Sequence, residues 1–350
     1  MDYTTGIVVD NRYLYHDPGF GHPESPDRLL AVYAMLDEDD MRGRFLRIEP
    51  RMAETGEIAM VHSRSYIEHV ASTAGVPCTV LDFDTVTSAD SWDTALLAAG
   101  GLMNAVDRVM EGIVKNAFAF VRPPGHHAET GGSGGFCIFN NVAIAAEHAR
   151  KKHGIKRILI VDWDLHHGNG TQHFFYEDSG VLYFSTHQSP FYPGTGSIGE
   201  MGRGEGEGYT INVPLPRGQG DADYLWIFRK LLEPTAIAYR PELVLISAGF
   251  DICRGDSLGA MNVSEHGLAG MTRVLMNIAD KCCEGRLAAT LEGGYNLSML
   301  ARSAKAVLKE MRGDTRISNE ELDKISEKAE ETARQVANNV IQRARRYWPL

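Results

Sequence analysis

The chain has 350 residues, a formal net charge of -11, and 43% hydrophobic with 23% charged residues, the proportions of a soluble globular protein with a large core. That acidic balance, with a pI near 5.6, argues against the basic face of a nucleic-acid binder and leaves a lysine-rich protein target weakly attracted at low salt. Five cysteines, Cys78, Cys137, Cys253, Cys282 and Cys283, form no C-x-x-C pair and are odd in number, which fits a reduced cytoplasmic setting better than a disulfide framework.

No basic segment followed by an apolar one opens the sequence, and no apolar run nears about 18 residues, so neither export nor membrane insertion is expected. A short strand is predicted near residues 6–9. The following loop, residues 16–28, is rich in Gly, His and Pro, and its prolines imply a positioned surface. Helical spacing marks residues 29–36, 63–71 and 92–112, and the irregular stretch 80–87 carries Asp82 and Asp84. From there strand and helix alternate. Strands are predicted at 116–121, 157–162, 181–185, 243–249 and 287–291, and helices at 140–153, 171–176, 224–239 and 264–283. This alternation defines the α/β class, a mainly parallel sheet with helices on both faces.

Beyond residue 313 the pattern changes. Ser318 and Glu321 form a capping-box pair, Leu322, Ile325, Ala329, Val336 and Val340 make a thin apolar stripe, and Arg343, Arg345 and Arg346 sit where a helix dipole favours cations. One helix of about 25 to 30 residues is predicted. It packs back on the domain or against a second subunit. The expected division is a catalytic domain over residues 1–312 and a helical extension over 313–350.

Open parallel sheets place ligand sites at the carboxyl ends of their strands. Here four apolar runs end in reactive groups: His126 and His127 after 116–121, Asp162, Asp164 and His166 after 157–161, Asp251 after 243–247, and Tyr295 after 287–291. In extended backbone Asp162, Asp164 and His166 share one face. Carboxylate oxygen with imidazole nitrogen suits zinc, with iron, cobalt or manganese as alternatives. Asp164, His166 and Asp251 as three protein ligands leave one coordination position open, as in a catalytic zinc site. His126 and His127 supply a base, Asp162 can hold one imidazole, and Asn169 can orient another without adding charge. Tyr295, after Gly293 and Gly294, is a candidate donor to a polarised carbonyl. Taken singly, each fragment has a plainer reading: a capping carboxylate beside a surface histidine, two loop histidines, a glycine turn. Together they describe hydrolysis of an amide.

Pro123-Pro124-Gly125-His126-His127, Gly135-Phe136-Cys137, the run from Asp162 to Gly170, Pro193-Gly194-Thr195-Gly196, Ala248-Gly249-Phe250-Asp251 and Glu292-Gly293-Gly294-Tyr295 resemble, in order and over roughly residues 5–310, the zinc-dependent histone deacetylase family. Asn169, Trp163 and the stretch from Arg254 to Gly259 look most like class II and prokaryotic relatives. The resemblance implies a three-layer arginase/deacetylase-like fold and removal of an acyl group, most simply acetyl, from lysine in proteins. It makes Asp164, His166 and Asp251 the Zn2+ ligands, His127 the general base and acid, His126 an electrostatic partner held by Asp162, and Tyr295 the carbonyl donor. It places Gly135, Phe136 and Tyr192 along the acyl-lysine channel, Asp84 at the substrate backbone, and Arg28 beneath the site. Tyr192 departs from the more usual phenylalanine. Leu258 stands where polyamine-selective relatives present a glutamate. A structural K+ is implied near Asp162, Asp164, His166, Ser185 and Thr186. The competing readings are an acetylpolyamine amidohydrolase and, from a different class, a module that binds acyl-lysine without turnover. The expected partner is an acyl-lysine protein or peptide, with no nucleic acid and no membrane, and a homo-oligomer through the C-terminal helix is an open option.

Overall fold

In the computed structural model, which describes residues 4–350, an eight-stranded parallel sheet forms the middle layer. Its strands are β1 (Thr5–Val8), β2 (Leu46–Arg47), β5 (Asn116–Ala119), β6 (Ile158–Asp162), β7 (Val181–Gln188), β8 (Thr210–Leu215), β9 (Leu243–Ala248) and β10 (Leu287–Leu291). The short β3 (Thr79–Val80) and β4 (Val86–Thr87) form an antiparallel hairpin apart from it, within the stretch read as irregular. The spatial order is β2-β1-β5-β10-β9-β6-β7-β8. Because both faces are covered, the inner strands read as continuous apolar runs: Ile158, Leu159, Ile160 and Val161 of β6 and Leu243, Val244 and Leu245 of β9 are fully buried.

Two helical layers sandwich the sheet. One holds α2 (Thr55–Ile58), α4 (Ser91–Met110) and α5 (Asn141–His153), with α4 against β1, β5 and β10. The other holds α1 (Asp27–Leu36), α9 (Glu265–Cys283) and α10 (Leu297–Arg312), packed in series. This is the expected three-layer α/β architecture. The remaining helices are α3 (Arg64–Ala71), α6 (Asn169–Phe174), α7 (Asp221–Ile227), α8 (Glu233–Tyr239), α11 (Asn319–Ser326) and α12 (Glu331–Ala344). No described helix is long and apolar enough to cross a membrane.

Three features depart from the sequence reading. The predicted helix 224–239 is divided by a π turn at Phe228–Leu232, just before Pro234, which lacks the N–H that a regular ladder needs. Strand β8 and helix α10 went unread. Asn212 and Pro214 interrupt the β8 pattern, and the proline is tolerated because β8 is the sheet edge. The single C-terminal helix is two. Glu330 N donates to Asp223 Oδ1 at 2.8 Å, and Arg334 Nη2 and Nε donate to the carbonyls of Glu327 and Ala329, so α7 and a guanidinium fix the break. The apolar stripe faces the chain's own domain: Leu322, Ala329 and Val340 are buried, Ile325 and Val336 are partly buried against the core, and α11 and α12 pack on α7 and β8.

Candidate metal centre and active site

The four strands that end in reactive groups, β5, β10, β9 and β6, are consecutive in the sheet. Their carboxyl ends therefore converge on one region. β6 stops at Asp162, and the next residues curl rather than stay extended. Asp162 Oδ1 accepts from Asp164 N at 3.1 Å, and Asp164 Oδ1 accepts from His166 N at 2.9 Å. These side-chain-to-backbone bonds replace the strand ladder. They correct the expectation of one shared strand face: Asp162 turns back towards His126, while Asp164 and His166 go forward to meet Asp251.

His166 Nδ1 lies 3.2 Å from Asp164 Oδ1 and 3.3 Å from Asp251 Oδ2. The other oxygens are held by backbone amides: Gly293 N donates to Asp164 Oδ2 at 2.8 Å and Leu165 N to Asp251 Oδ1 at 3.0 Å. The backbones must come close for this. A Cβ on Gly249 would fall 2.1 Å from Asp164 Oδ2, and one on Gly293 would fall 2.2 Å from Asp251 Oδ2. Burial and the neighbouring Asp164 carboxylate push Asp251 up to about 7. Although burial opposes it, the two carboxylates lift His166 to about 9. Asp251 Oδ2 is buried without a hydrogen-bond partner. Two buried carboxylates converging on one ring nitrogen, with an oxygen left over, form a donor set short of a cation, and one donor from each residue lies within 4.8 Å of the others. Two oxygens and one nitrogen at this spread fit a divalent ion of the zinc type.

Beside this cluster the rings of His126 and His127 are 4.0 Å apart. His126 Nδ1 donates to Asp162 Oδ2 at 3.0 Å, and Tyr183 Oη donates to the same oxygen at 3.0 Å. Against burial, Asp162 and Asp164 hold His126 up at about 10. Burial, then the charges of His126 and His166, push His127 well below its usual value. His127 Nδ1 lies 2.7 Å from Asn169 Oδ1, and Asn169 Nδ2 donates to Glu129 Oε1 at 2.6 Å. The carboxylate fixes which way the amide points, so Nδ1 of His127 is the donor and Nε2 keeps its lone pair.

A channel of about 100 Å³ is lined by His126, His127, His166, Gly135, Phe136, Tyr192, Asp84, Leu258 and Tyr295, among others. Gly135 is forced there: a Cβ would lie 2.2 Å from His127 Cδ2, and its φ is +53°. Phe136 packs edge-on to Tyr295 at 5.9 Å, and Tyr192 edge-on to His127 at 5.1 Å. Asp84 Oδ1 accepts from Gly135 N at 2.9 Å. Ser185 pairs with Asp162 across β6 and β7, and the neighbouring Thr186 hydroxyl is buried and unpaired.

Beneath these residues lie Arg28 and four groups to which the sequence reading assigned no role, Glu24, Arg122, Asp256 and Glu292. Arg28 lies 5.0 Å over the Tyr295 ring, donates to Gly294 O at 2.7 Å, and also binds Glu292 O. Glu24, fully buried, joins Arg28 to Arg122. Burial alone would raise its carboxyl, yet Arg122 and His16 keep it well below the usual range. Asp256 Oδ2 accepts from Tyr295 N at 2.7 Å. Glu292 Oε2 accepts from Gly125 N at 2.7 Å and His126 N at 3.2 Å. A carboxylate in a proline-fixed loop and one at a strand end were the available signals.

A three-layer α/β fold whose sheet gathers two carboxylates and an imidazole into a set that could hold one ion is that of the arginase/deacetylase class, metal-dependent hydrolases acting on amide-type bonds. Comparison narrows it. The family model for the histone deacetylase domain matches residues 22–311. A probable deacetylase of Archaeoglobus fulgidus is 41% identical over 298 residues, covering 84% of this chain and 82% of that protein. The polyamine deacetylase HDAC10 of Homo sapiens is 42% identical over 319 residues, covering 88% of this chain and 47% of that one. The crystal structure of the HDA15 HD domain superposes with a TM-score of 0.92 at 39% identity, covering 100% of this chain and 96% of the other. The chain belongs to the histone deacetylase family. It spans about half the length of several curated relatives that it matches.

Proposed function

We propose that this protein hydrolyses the amide of N6-acetyl-lysine in protein or peptide substrates, releasing lysine and acetate. The observation that carries this reading is that His166 of the Asp164, His166 and Asp251 cluster lines one narrow channel together with His127 and Tyr295. Bound by those three residues, zinc would supply a Lewis acid for the amide carbonyl and for water. Nε2 of His127, free because Nδ1 is tied to Asn169, takes the proton as the water oxygen joins the carbonyl carbon. His126, cationic against Asp162, discourages a resting proton on its neighbour. As the carbon–nitrogen bond breaks, His127 returns its proton to the departing lysine amine. Tyr295, its ring placed by Arg28 and its backbone by Asp256, donates to the carbonyl oxygen as negative charge grows there. Phe136 and Tyr192 line the channel that would take the lysine chain, and Asp84, in the same lining, would hold the substrate backbone. The buried, unpaired Thr186 hydroxyl beside the Asp162–Ser185 pair supports a structural K+ there.

The second reading is deacetylation of polyamines, favoured by the likeness to a protein named polyamine deacetylase. Leu258 opposes it, offering apolar contact where a carboxylate would draw a secondary ammonium. Turnover of acetyl-lysine peptides, longer acyl-lysine peptides and acetylated polyamines tests the choice. Peptides should be preferred. A tenfold or greater preference for polyamines, about 1.4 kcal/mol, would reverse it.

A further inference from the structure

Away from the channel, three side chains unused by this chemistry meet where α4 and α5 end. Nε2 of His148 and Nε2 of His153 lie 2.9 and 2.8 Å from the same oxygen, Asp107 Oδ1. Asp107 and His148 are buried, and one donor atom from each of the three residues lies within 4.8 Å of the others, as in the Asp164, His166 and Asp251 cluster. Helix α5, capped by Asn140, rises about 1.5 Å per residue, so His148 and His153 lie about 12 and about 20 Å along it from that start.

Two carboxylates face the ring nitrogens of His148, Asp107 with Lys152 on its other oxygen and Glu57 held by Arg51. Nε2 of His148 faces Asp107, and its Nδ1 faces Glu57 Oε1 at 3.7 Å. A neutral ring has one N–H, so with a carboxylate on each side one nitrogen lone pair is left opposite an oxygen. His153 makes a further demand on the same Asp107 oxygen. A divalent ion accepting both Nε2 lone pairs and the carboxylate would remove the conflict. Glu57 would then receive the Nδ1 proton, as carboxylates behind metal-bound histidines do. Lys152 occupies the other Asp107 oxygen at 2.7 Å, but its side chain is 48% exposed and free to swing into water. We propose that Asp107, His148 and His153 form a second metal site, structural and of the zinc type, which clips the ends of α4 and α5 together.

The test counts zinc bound by the whole chain by elemental analysis over a series of chelator-set free concentrations. Two ions per chain are expected at saturation, against one in His148→Ala/His153→Ala, whose turnover should equal the parent's. The Lys152→Gln variant carries the test if that double substitution does not fold. Removing an ammonium from beside the ligand carboxylate should tighten the second ion roughly tenfold or more, whereas a plain ion-pair network would bind no second ion in either form. A single ion at saturating zinc in the parent, a second ion that survives the double substitution, or an unchanged second affinity in Lys152→Gln would each overturn the assignment.

Discussion

His127 and Tyr295 show how few neighbours decide what a side chain can do. Asn169 makes Nδ1 of His127 the donor, and Arg28 and Asp256 place Tyr295 from opposite sides. Tyr295→Phe keeps the ring and its packing while removing one oxyanion donor, so kcat should fall by roughly 10² to 10³ with zinc content retained. Turnover within about threefold of the parent in zinc-loaded Tyr295→Phe would make the residue structural. His62 is a different case, a histidine held neutral for the fold. Its Nε2 accepts from Asn140 N at 2.9 Å, which obliges Nδ1 to donate to Glu129 O at 2.8 Å. Burial pushes it down to about 4 from 6.5. Between those values the unfolded chain binds the proton and the folded chain does not, so stability falls as pH drops from about 6.5 to about 4, by at most about 3 kcal/mol from this group. Chemical denaturation across that range should show His62→Gln less stable than the parent at pH 7 but with a shallower decline on acidification. Parallel curves would remove His62 from the account.

At the scale of elements, legibility followed local pattern. The strands bearing Asp164, His166, Asp251 and Tyr295 were readable because each is an apolar run ending abruptly in polar groups and glycine. What failed needed partners distant in sequence. Glu24 meets Arg122 98 residues away, and the break between α11 and α12 depends on Asp223, 107 residues from Glu330; the curl after Asp162 is the local exception, made by side-chain-to-backbone bonds two residues apart. No glycine or proline marks that break. Leu322 on α11 is fully buried in the main hydrophobic core, so the C-terminal helices are part of the domain's packing. Leu322→Ala should destabilise the protein by about 2 to 5 kcal/mol, the range for emptying a core leucine site. Denaturant midpoints would check this, and a loss under about 0.5 kcal/mol would mean that α11 is held loosely.

For the whole molecule, the sheet order makes neighbours of the four reactive strand ends although they are spread over about half the chain. The chain as a whole carries a net charge of -11, and Asp84 is among the residues that line the channel. Attraction of a basic peptide to so acidic a chain is screened once the Debye length falls below about 10 Å. Raising salt from about 0.05 M to about 0.5 M should therefore increase KM for a lysine-rich acetylated peptide far more than it lowers kcat, with a smaller change for a neutral peptide. Equal salt effects on both peptides would show that the global charge has no part in recognition. The central claim is that the Asp164, His166 and Asp251 cluster holds the ion on which amide hydrolysis depends. Acetate release from an acetyl-lysine peptide, followed as zinc is stripped by a chelator and restored stepwise, measures it most directly in the parent and in Asp251→Ala. The parent should lose turnover with its metal and regain it on zinc addition, and Asp251→Ala should recover neither tight zinc binding nor activity. Undiminished acetate release from metal-free parent protein, or full turnover in Asp251→Ala, would contradict it.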